Sequence, residues 1–462
     1  MMRPPTSVRH RTGSVLAIVI WSIAICAAVA ATVQVLSTRQ SVMGVEALSR
    51  VQARWAARAG VETMIAIMEY HTENPDPTDA LAMLKDLENN SAGELETGTY
   101  DIRHYLDGVE WAGPLDEHAK ANINLITKAQ MINIRDMTPD VADAIVDWRD
   151  ADDDSGLLGA EATYYRNRGI SYLPRNANLR SFAELELIAG VWPEYARGED
   201  WNLNGRLDPN ENDGDLSWPD DNADGKLDQG WSGILTGASL TAPLSPSGMP
   251  KLALRTATPE DVSARCGISG GQANSLIAYS KQPNARLENL LTTPLATLAQ
   301  GRGAQPQNQQ QPGRTGRSSG GQTRLAPGAS ADAALSMPQI GTILNECMID
   351  EFNRPQPGRI NINSVSSEVL TEVFDLNPKL AASIVSRRDS RPEGITTLAE
   401  LLEIPGMTPQ ILQPIARYLD VQSWVFTITS RGQSRSMGTE AEMIVTVNRS
   451  TLPATILEYR EP

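Results

Sequence analysis

The sequence predicts an α+β protein in which one long amino-terminal helix packs on an antiparallel sheet, and a large α-helical domain is inserted into that sheet. Three observations predict it. Residues 14–36 form an uncharged apolar run. Mostly apolar side chains then recur at three- and four-residue steps up to Met68. Alternating, strand-like segments flank a long stretch of helical pattern, one before residue 121 and three after residue 420.

The apolar run, SVLAIVIWSIAICAAVAATVQVL, would rise about 34 Å as a helix, enough to cross a bilayer. Arg3, Arg9 and Arg11 precede it and no acidic residue accompanies them. The positive-inside rule therefore keeps the start cytoplasmic and sends the rest outward. An ordinary secretory signal has a shorter apolar region that ends in a small-x-small cleavage site. Here no Gly or Pro interrupts the chain until Gly44, and Val45, Leu48, Val51, Gln52, Trp55, Ala59, Glu62, Ile65 and Met68 continue one face. The expectation is a single rod, lipid-embedded first and amphipathic afterwards.

The chain carries a formal charge of −16. Setting aside the three leading arginines leaves 37 basic residues against 56 acidic, a formal −19 for everything beyond the membrane. A domain this anionic is repelled by nucleic acid and by anionic lipid, and has a use for divalent cations. Cys26 lies in the apolar run, whereas Cys266 and Cys347 lie beyond it. That outer pair permits one disulfide without requiring it, and two separate buried thiols is the other reading. The histidines, His10, His71, His104 and His118, belong to no catalytic or metal-ligand motif, and no phosphate loop occurs. A non-enzyme is expected.

After the rod, residues 98–106 alternate and end at Asp107-Gly108, a hairpin signal. Residues 424–429, 440–447 and 455–459 read as three further strands. Between these, a similar pattern occurs three times, starting at Met137, Ile268 and Leu376. Ala142, Ala273 and Ala381 coincide in it, as do Ile145, Leu276 and Ile384. Thr, Ser or Asn before Pro or Gly supplies the helix start, and the later apolar positions make one face. Asn124, Arg255 and Asn363 stand thirteen residues before each start, and related segments from Ser181, Arg286 and Thr397 follow, which points to duplication. Residues 301–338 are rich in Gln, Gly, Ser, Pro and Arg and are expected to form a flexible linker.

Two acidic loops stand apart from this repeat. Asp200, Asn202, Asn204 and Asp208 place side-chain oxygens at positions one, three, five and nine of a twelve-residue EF-hand loop, with Gly205 at six and Glu211 at twelve. Arg206 would offer its carbonyl, and Leu207 would pin the loop by packing. Asp220, Asn222, Asp224, Gly225 and Asp228 repeat the first part, with Lys226 among the site residues, but Trp231 stands where Glu should close the loop, so this site would be weaker or borrow a ligand. The two glycines are too close for ordinary paired hands, which favours a dockerin-like or thrombospondin-like pair of loops. Structural Ca2+ is the cofactor expected, and solvated turns are the alternative. A further cluster, Asp147, Asp150, Asp152, Asp153 and Asp154, is expected to be solvated.

Arg11-Thr12-Gly13-Ser14 resembles a prepilin peptidase site, with cleavage after Gly13 and Ser14 as the new, methylated amino terminus. Ile18 would then occupy the fifth mature position, where most pilins carry Glu; an intramembrane carboxylate needs a partner, and a subunit with no neighbour above it has none. The runs at 121–125, 144–153, 159–161 and 164–165, with Arg359-Ile360-Asn361-Ile362-Asn363, are closely similar to the helical insertion of K-type minor pseudopilins of type II secretion. The repeats themselves resemble helix-hairpin-helix or SAM-like modules, most clearly at Leu402-Glu403-Ile404-Pro405-Gly406-Met407. Thr408 replaces the second hairpin Gly, and Glu400 and Glu403 lie close by, which disfavours a phosphate ligand.

This resemblance implies a pilin-like fold and a non-catalytic assembly factor at the pseudopilus tip. Its partners would be the I-type and J-type minor pseudopilins, other pseudopilins, the inner-membrane secretion platform and the prepilin peptidase, with no nucleic acid. The chain would be a single-pass inner-membrane protein with most of its mass in the periplasm. The expected organisation is a leader at 1–13, a transmembrane helix at 14–36, and the pilin-like helix and first strands at 37–120. Helical repeats follow at 121–192, 251–300 and 339–420, separated by the acidic insertion at 193–250 and the linker at 301–338, with the last strands at 421–462. A membrane-anchored DNA-uptake protein and a calcium-dependent adhesion module remain as alternatives.

Overall fold

The computed structural model describes residues 13–300, 334–352 and 355–462. The leader with its arginines and His10, and most of the expected linker, lie outside the described residues. Helix α1 (Gly13–Glu73) is unbroken, 61 residues and so about 90 Å long. Residues 15–45 are exposed throughout, and an 18-residue window of this helix has a mean hydropathy of 2.5 with none of it buried inside the protein. By length and composition it can cross a membrane.

The rear of α1 packs on an antiparallel sheet by a face different from the one expected. Ser49, Ala53, Ala56, Ala57, Gly60, Val61, Met64 and Met68 are buried, whereas Val45, Leu48, Val51 and Trp55 stay 46–60% exposed. The reason is how closely the helix approaches the strands. A Cβ at Gly432 would lie 2.1 Å from the Ala53 carbonyl oxygen and 2.2 Å from the Ala57 nitrogen, and one at Gly60 would lie 2.6 Å from Ser430 Oγ. Ser430 Oγ donates to the Ala57 carbonyl at 2.8 Å. Only small side chains fit that seam, so the large apolar ones of the first half are turned outward.

After α2 (Ala82–Asn89) come β1 (Ala92–Glu94), β2 (Gly98–Leu106), β3 (Val109–Ala112) and β4 (Leu115–Asp116). The chain returns to the sheet with β5 (Val425–Ser434), β6 (Glu440–Asn448) and β7 (Thr455–Arg460), at the positions the alternation predicts. The order is β1-β2-β5-β6-β7, with β3 added to β2 and β4 to β5. Asp107 and Gly108 both have positive φ (56° and 64°), the primed turn that an Asp-Gly hairpin needs. Ala57, Val61, Met64, Met68, Leu87, Ile102, Phe426, Ile428, Met443, Val445 and Val447 form the core between helix and sheet.

The insertion leaves and re-enters the sheet at one neck, because β4 pairs with β5 (Leu115 opposite Thr427, Asp116 opposite Phe426). Buried polar groups fill this neck. Glu117 accepts from Thr236 Oγ1 and from Thr427 Oγ1, both at 2.5–2.6 Å, and Asp116 accepts from the hydroxyls of Ser364 and Ser423, both at 2.5 Å.

The three expected helices are present as α3 (Pro139–Arg149), α5 (Gly270–Ser280) and α7 (Pro378–Asp389). Between them stand α4 (Pro259–Cys266) and α6 (Met337–Glu346), and α8 (Pro409–Ala416) follows. Ala142, Ala273, Ala381, Ile145, Leu276 and Ile384 are all buried in one continuous core. Each helix lies within a segment whose ends meet in a two-residue parallel pair: Ala121–Asn122 with Leu235–Thr236, Leu252–Ala253 with Cys347–Met348, and Ile360–Asn361 with Leu419–Asp420. Residues 200–228 thus fall between the paired ends of the first segment, and residues 301–333 between those of the second. Ser336, assigned to the linker by sequence, caps α6 by accepting from the Gln339 N–H.

Two predictions follow from the sheet. Gly432→Ala is expected to destabilise the full chain by about 1–3 kcal/mol by overpacking the seam, whereas Gly44→Ala, with open space around it, should be neutral or slightly stabilising; denaturant midpoints in detergent check both. His104 on β2 donates Nδ1–H to the Gly113 carbonyl at 2.9 Å, and burial, reinforced by the Lys120 ammonium, pushes its pKa down to about 4. The unfolded chain therefore takes up this proton near pH 6.5 and the folded chain only near 4. Stability should fall across that window, by on the order of 1–2 kcal/mol for a side chain that keeps some exposure, and His104→Gln should flatten the profile of midpoint against pH.

Candidate functional site

Residues 200–211 form a loop wound around its own carboxylates. Asp200 is buried and accepts from the backbone N–H groups of Asn204 and Gly205, both at 3.0 Å. The Asn202 and Asn204 side-chain oxygens accept from the N–H two residues ahead, at 2.9 and 2.7 Å. Glu211 closes the turn, accepting from the N–H of Trp201 at 3.0 Å and of Asp208 at 3.1 Å. Gly205 has φ +67°, the left-handed conformation this sharp turn requires. Asp200, Asn202, Asn204 and Glu211 thus turn their side-chain oxygens to backbone N–H groups of one loop, and Leu207 is only half-buried outside the hydrophobic cores.

Polar bonds, rather than Leu207, pin this loop, and they pin it to the sheet. The Asn204 carbonyl accepts from Thr429 Oγ1 at 2.8 Å, and the Gly205 carbonyl accepts from the Tyr105 N–H at 2.7 Å. Arg206 reaches Asp101 at 2.8 Å, Arg431 reaches Asp208 at 2.8 Å, and Arg460 donates to the Leu203 carbonyl at 2.9 Å. Asn204 Nδ2 donates to Glu442 at 3.1 Å. One acidic loop therefore touches β2, β5, β6 and β7 together.

Burial pushes the Asp200 carboxyl up to about 6, against the opposing pull of the Gly205 N–H and the Lys120 ammonium. Burial pushes Glu211 up to about 7, and the charges of Asp200 and Asp208 add to the shift. Asp208 is also desolvated, but the Arg431 guanidinium and the Asn202 and Asn204 amides together outweigh this and hold it below the usual carboxylate range. Buried carboxylates, amide oxygens and a backbone carbonyl on a glycine turn are the donor set a hard divalent cation takes. Among the described residues, no three His, Cys, Asp or Glu side chains converge as a ready metal-ligand group. Ligation in this loop would draw on Asn202, Asn204 and the Arg206 carbonyl as well as carboxylates.

The second loop is more exposed. Asn222 and Asp224 accept from the N–H two residues ahead, both at 2.9 Å, which puts Lys226 N–H on Asp224. Asn222 Nδ2 donates to Asp228 at 3.2 Å, as Asn202 does to Asp208 at 2.9 Å in the first loop. Asp220 is exposed, and the Gly225 N–H goes to Asn212 instead of to it. Glu199 takes the closing position: it accepts from the N–H of Asn222 at 3.2 Å and of Asp228 at 3.0 Å. Sequence spacing misses Glu199 because it lies ahead of the loop instead of at its twelfth position. Its burial, which raises its pKa, is a feature of the fold alone.

The acidic cluster after α3 is solvated only in part. Asp152, Asp153 and Asp154 are exposed, but Asp147 is buried and accepts from the Gly156 N–H at 3.0 Å. A Cβ at Gly159 would lie 1.9 Å from Asp147 Oδ2, so this turn closes directly on the carboxylate. Glu161 is buried, and its Oε1 and Asp150 Oδ1 have no partner. Burial raises both carboxyls, and neighbouring aspartates add to the shift.

At the hairpin after the 3₁₀ turn Leu398–Glu403, Gly406 has φ +93°, and Thr408 caps α8 by accepting from the Ile411 N–H. Glu403 pairs with Arg387 at 2.5 Å and Glu400 with Arg391 at 2.5 Å. The helix start is thus occupied by its own side chain, and Arg387 and Arg391 are paired with carboxylates of this turn.

Residues 110–197 match the family model of the type II secretion system protein K, and residues 356–420 match that of the helix-hairpin-helix motif. No curated protein matches the chain. Among solved structures, a chain of the GspK-GspI-GspJ complex from the type 2 secretion system of enterotoxigenic Escherichia coli aligns with a TM-score of 0.43 and 10% identity, over 90% of this chain and 98% of that one. The protein K match falls where the insertion leaves the sheet, and it supports the resemblance to K-type minor pseudopilins.

Proposed function

We propose that the chain is a non-catalytic minor pseudopilin of the K type that sits at the tip of the type II secretion pseudopilus and helps initiate its assembly. The protein K match over residues 110–197 carries this reading. A 61-residue helix whose front is apolar and exposed supports the inner-membrane anchor, with the bulk of the chain in the periplasm. The exposed stripe of Val45, Leu48, Val51 and Trp55 supplies an apolar face of α1 for the I-type and J-type minor pseudopilins. Contact with other pseudopilins and the secretion platform belongs to the same reading, as does cleavage after Gly13 by the prepilin peptidase and methylation of Ser14. The three helical segments are read as duplicated helix-hairpin-helix or SAM-like scaffolding modules that bind no nucleic acid.

The test is co-expression of the full chain with its I-type and J-type partners and a prepilin peptidase. A mature protein beginning at Ser14 that co-purifies with both partners is the expected outcome. Trp55→Asp should weaken the complex at least tenfold without unfolding the head. A chain that keeps its leader and binds neither partner, or that shifts DNA in a salt-dependent way, would overturn the assignment.

Within the same proposal, Ca2+ is structural. Asp200, Asn202, Asn204, Asp208, Glu211 and the Arg206 carbonyl would hold one ion. Asp220, Asn222, Asp224, Asp228 and the Lys226 carbonyl, with Glu199 closing the loop, would hold a second, weaker one. At millimolar calcium and the affinities of extracellular calcium modules, binding would stabilise the fold by about 1–2 kcal/mol. Chelation should lower the melting temperature of the full chain, and Glu211→Gln should remove most of that shift. An unchanged melting curve on chelation would dismiss the calcium sites while leaving the pseudopilin reading intact.

A further inference from the structure

The second helical segment differs from its neighbours in how its ends are held. In the first, the Asn124 side chain bonds both ways with Leu179, donating to its carbonyl at 3.0 Å and accepting its N–H at 2.8 Å. In the third, Asn363 does the same with Ile395, at 2.9 and 2.8 Å. The second has Arg255 at that position, donating to the Ser280 carbonyl at 2.9 Å, with no two-way clamp. Yet its closing strand, Cys347–Met348, must return to Leu252–Ala253 from beyond residues 301–333. Long connections of this kind add to the entropic cost of bringing the two ends together.

At that closure two thiols face each other. Cys266 is the last residue of α4, and Cys347 follows α6 directly. Both are buried at 3% exposure, and their sulfurs are 3.4 Å apart. The residues just before them are joined as well: the Arg265 guanidinium meets the Glu346 carboxylate, so the two segments are aligned on both sides of the sulfur pair. A disulfide needs a sulfur separation of about 2.0 Å, which small side-chain rotations from this contact can supply.

We propose that Cys266 and Cys347 form an intramolecular disulfide that staples α4 to the strand after α6 and so closes the second helical segment. The proposal rests on the export reading above, because disulfides persist in the periplasm and not in the cytoplasm. In the reaction each thiol gives up a proton, and the pair gives up two electrons to a disulfide oxidant, glutathione disulfide or a protein disulfide. One thiolate attacks the oxidant to form a mixed disulfide, the second thiolate displaces the carrier, and the oxidant leaves as two thiols. Both sulfurs are buried in the finished fold, so the bond forms during folding and then resists reductants until the chain opens. It is a structural staple and not a redox switch.

Thiol counting on the full chain, purified in detergent and denatured in a maleimide reagent, tests this. Chain recovered from cells that export it should take one label, on Cys26, without reductant and three after reduction. Cys266→Ser should take two without reductant, and Cys347→Ser likewise. Refolding the reduced chain in a glutathione redox buffer separates the proposal from the reading beneath it. Three labels after such refolding, or a reductant-sensitive dimer, would overturn the staple. One label after refolding but three from cells would uphold the staple and overturn export.

Discussion

The approach of α1 to β5 at Gly432 is the constraint from which the rest of the architecture follows. With the helix backbone about 2 Å from where a Cβ would stand, the inward positions of the helix must be alanine, glycine or serine until the rod reaches Val61. Large apolar residues are excluded from the seam and accumulate on the opposite side. The helix therefore has two different faces: a small-residue face packed on its own sheet, and an apolar face that stays exposed. Near Met64 and Met68 the seam widens and ordinary hydrophobic packing against Phe426, Ile428 and Met443 takes over.

The insertion is held to that sheet in two places. At the neck, β4 pairs with β5 and the side chains of Asp116 and Glu117 are saturated by hydroxyls from Thr236, Ser364, Ser423 and Thr427. Buried carboxylates cost free energy unless they are hydrogen-bonded, and these are. Far along the chain, the loop at 200–208 returns to β2, β5, β6 and β7. The acidic loop thus acts as a second attachment of the insertion to the sheet.

Much of this was legible in the residues. Asp107-Gly108 specified its hairpin because only a primed turn matches strand twist, and Thr138, Ser269 and Asn377 marked their helices because each sits immediately before a good first helical residue. The apolar face of α1 was read from the larger side chains, and the fold chose the smaller ones, since periodicity reports which residues share a side but not how near the neighbouring backbone comes. The two-residue parallel pairs that close the helical segments are too short to leave any pattern. Glu199 and the burial of Asp147 were equally silent, because a ligand borrowed from outside a loop, or a turn such as the one at Gly159 that folds over a carboxylate, depends on tertiary contact.

The free face of α1 bears on where such a subunit can stand. A subunit inside a helical filament needs neighbours on every side of its rod, with a carboxylate near the mature amino terminus to offset the ammonium of the next one. Here Ile18 would occupy that place, and one side of the rear half of the rod is already consumed by its own sheet with no slack for a larger residue at Gly60 or Gly432. Among the described residues, Val45, Leu48, Val51 and Trp55 form an exposed apolar stripe continuous with the exposed apolar front of the helix. On the function proposed above, a rod with one exposed apolar stripe and Ile18 in place of that carboxylate would suit the end of a filament, and the bulk of the insertion would then obstruct only contacts that a terminal subunit does not make.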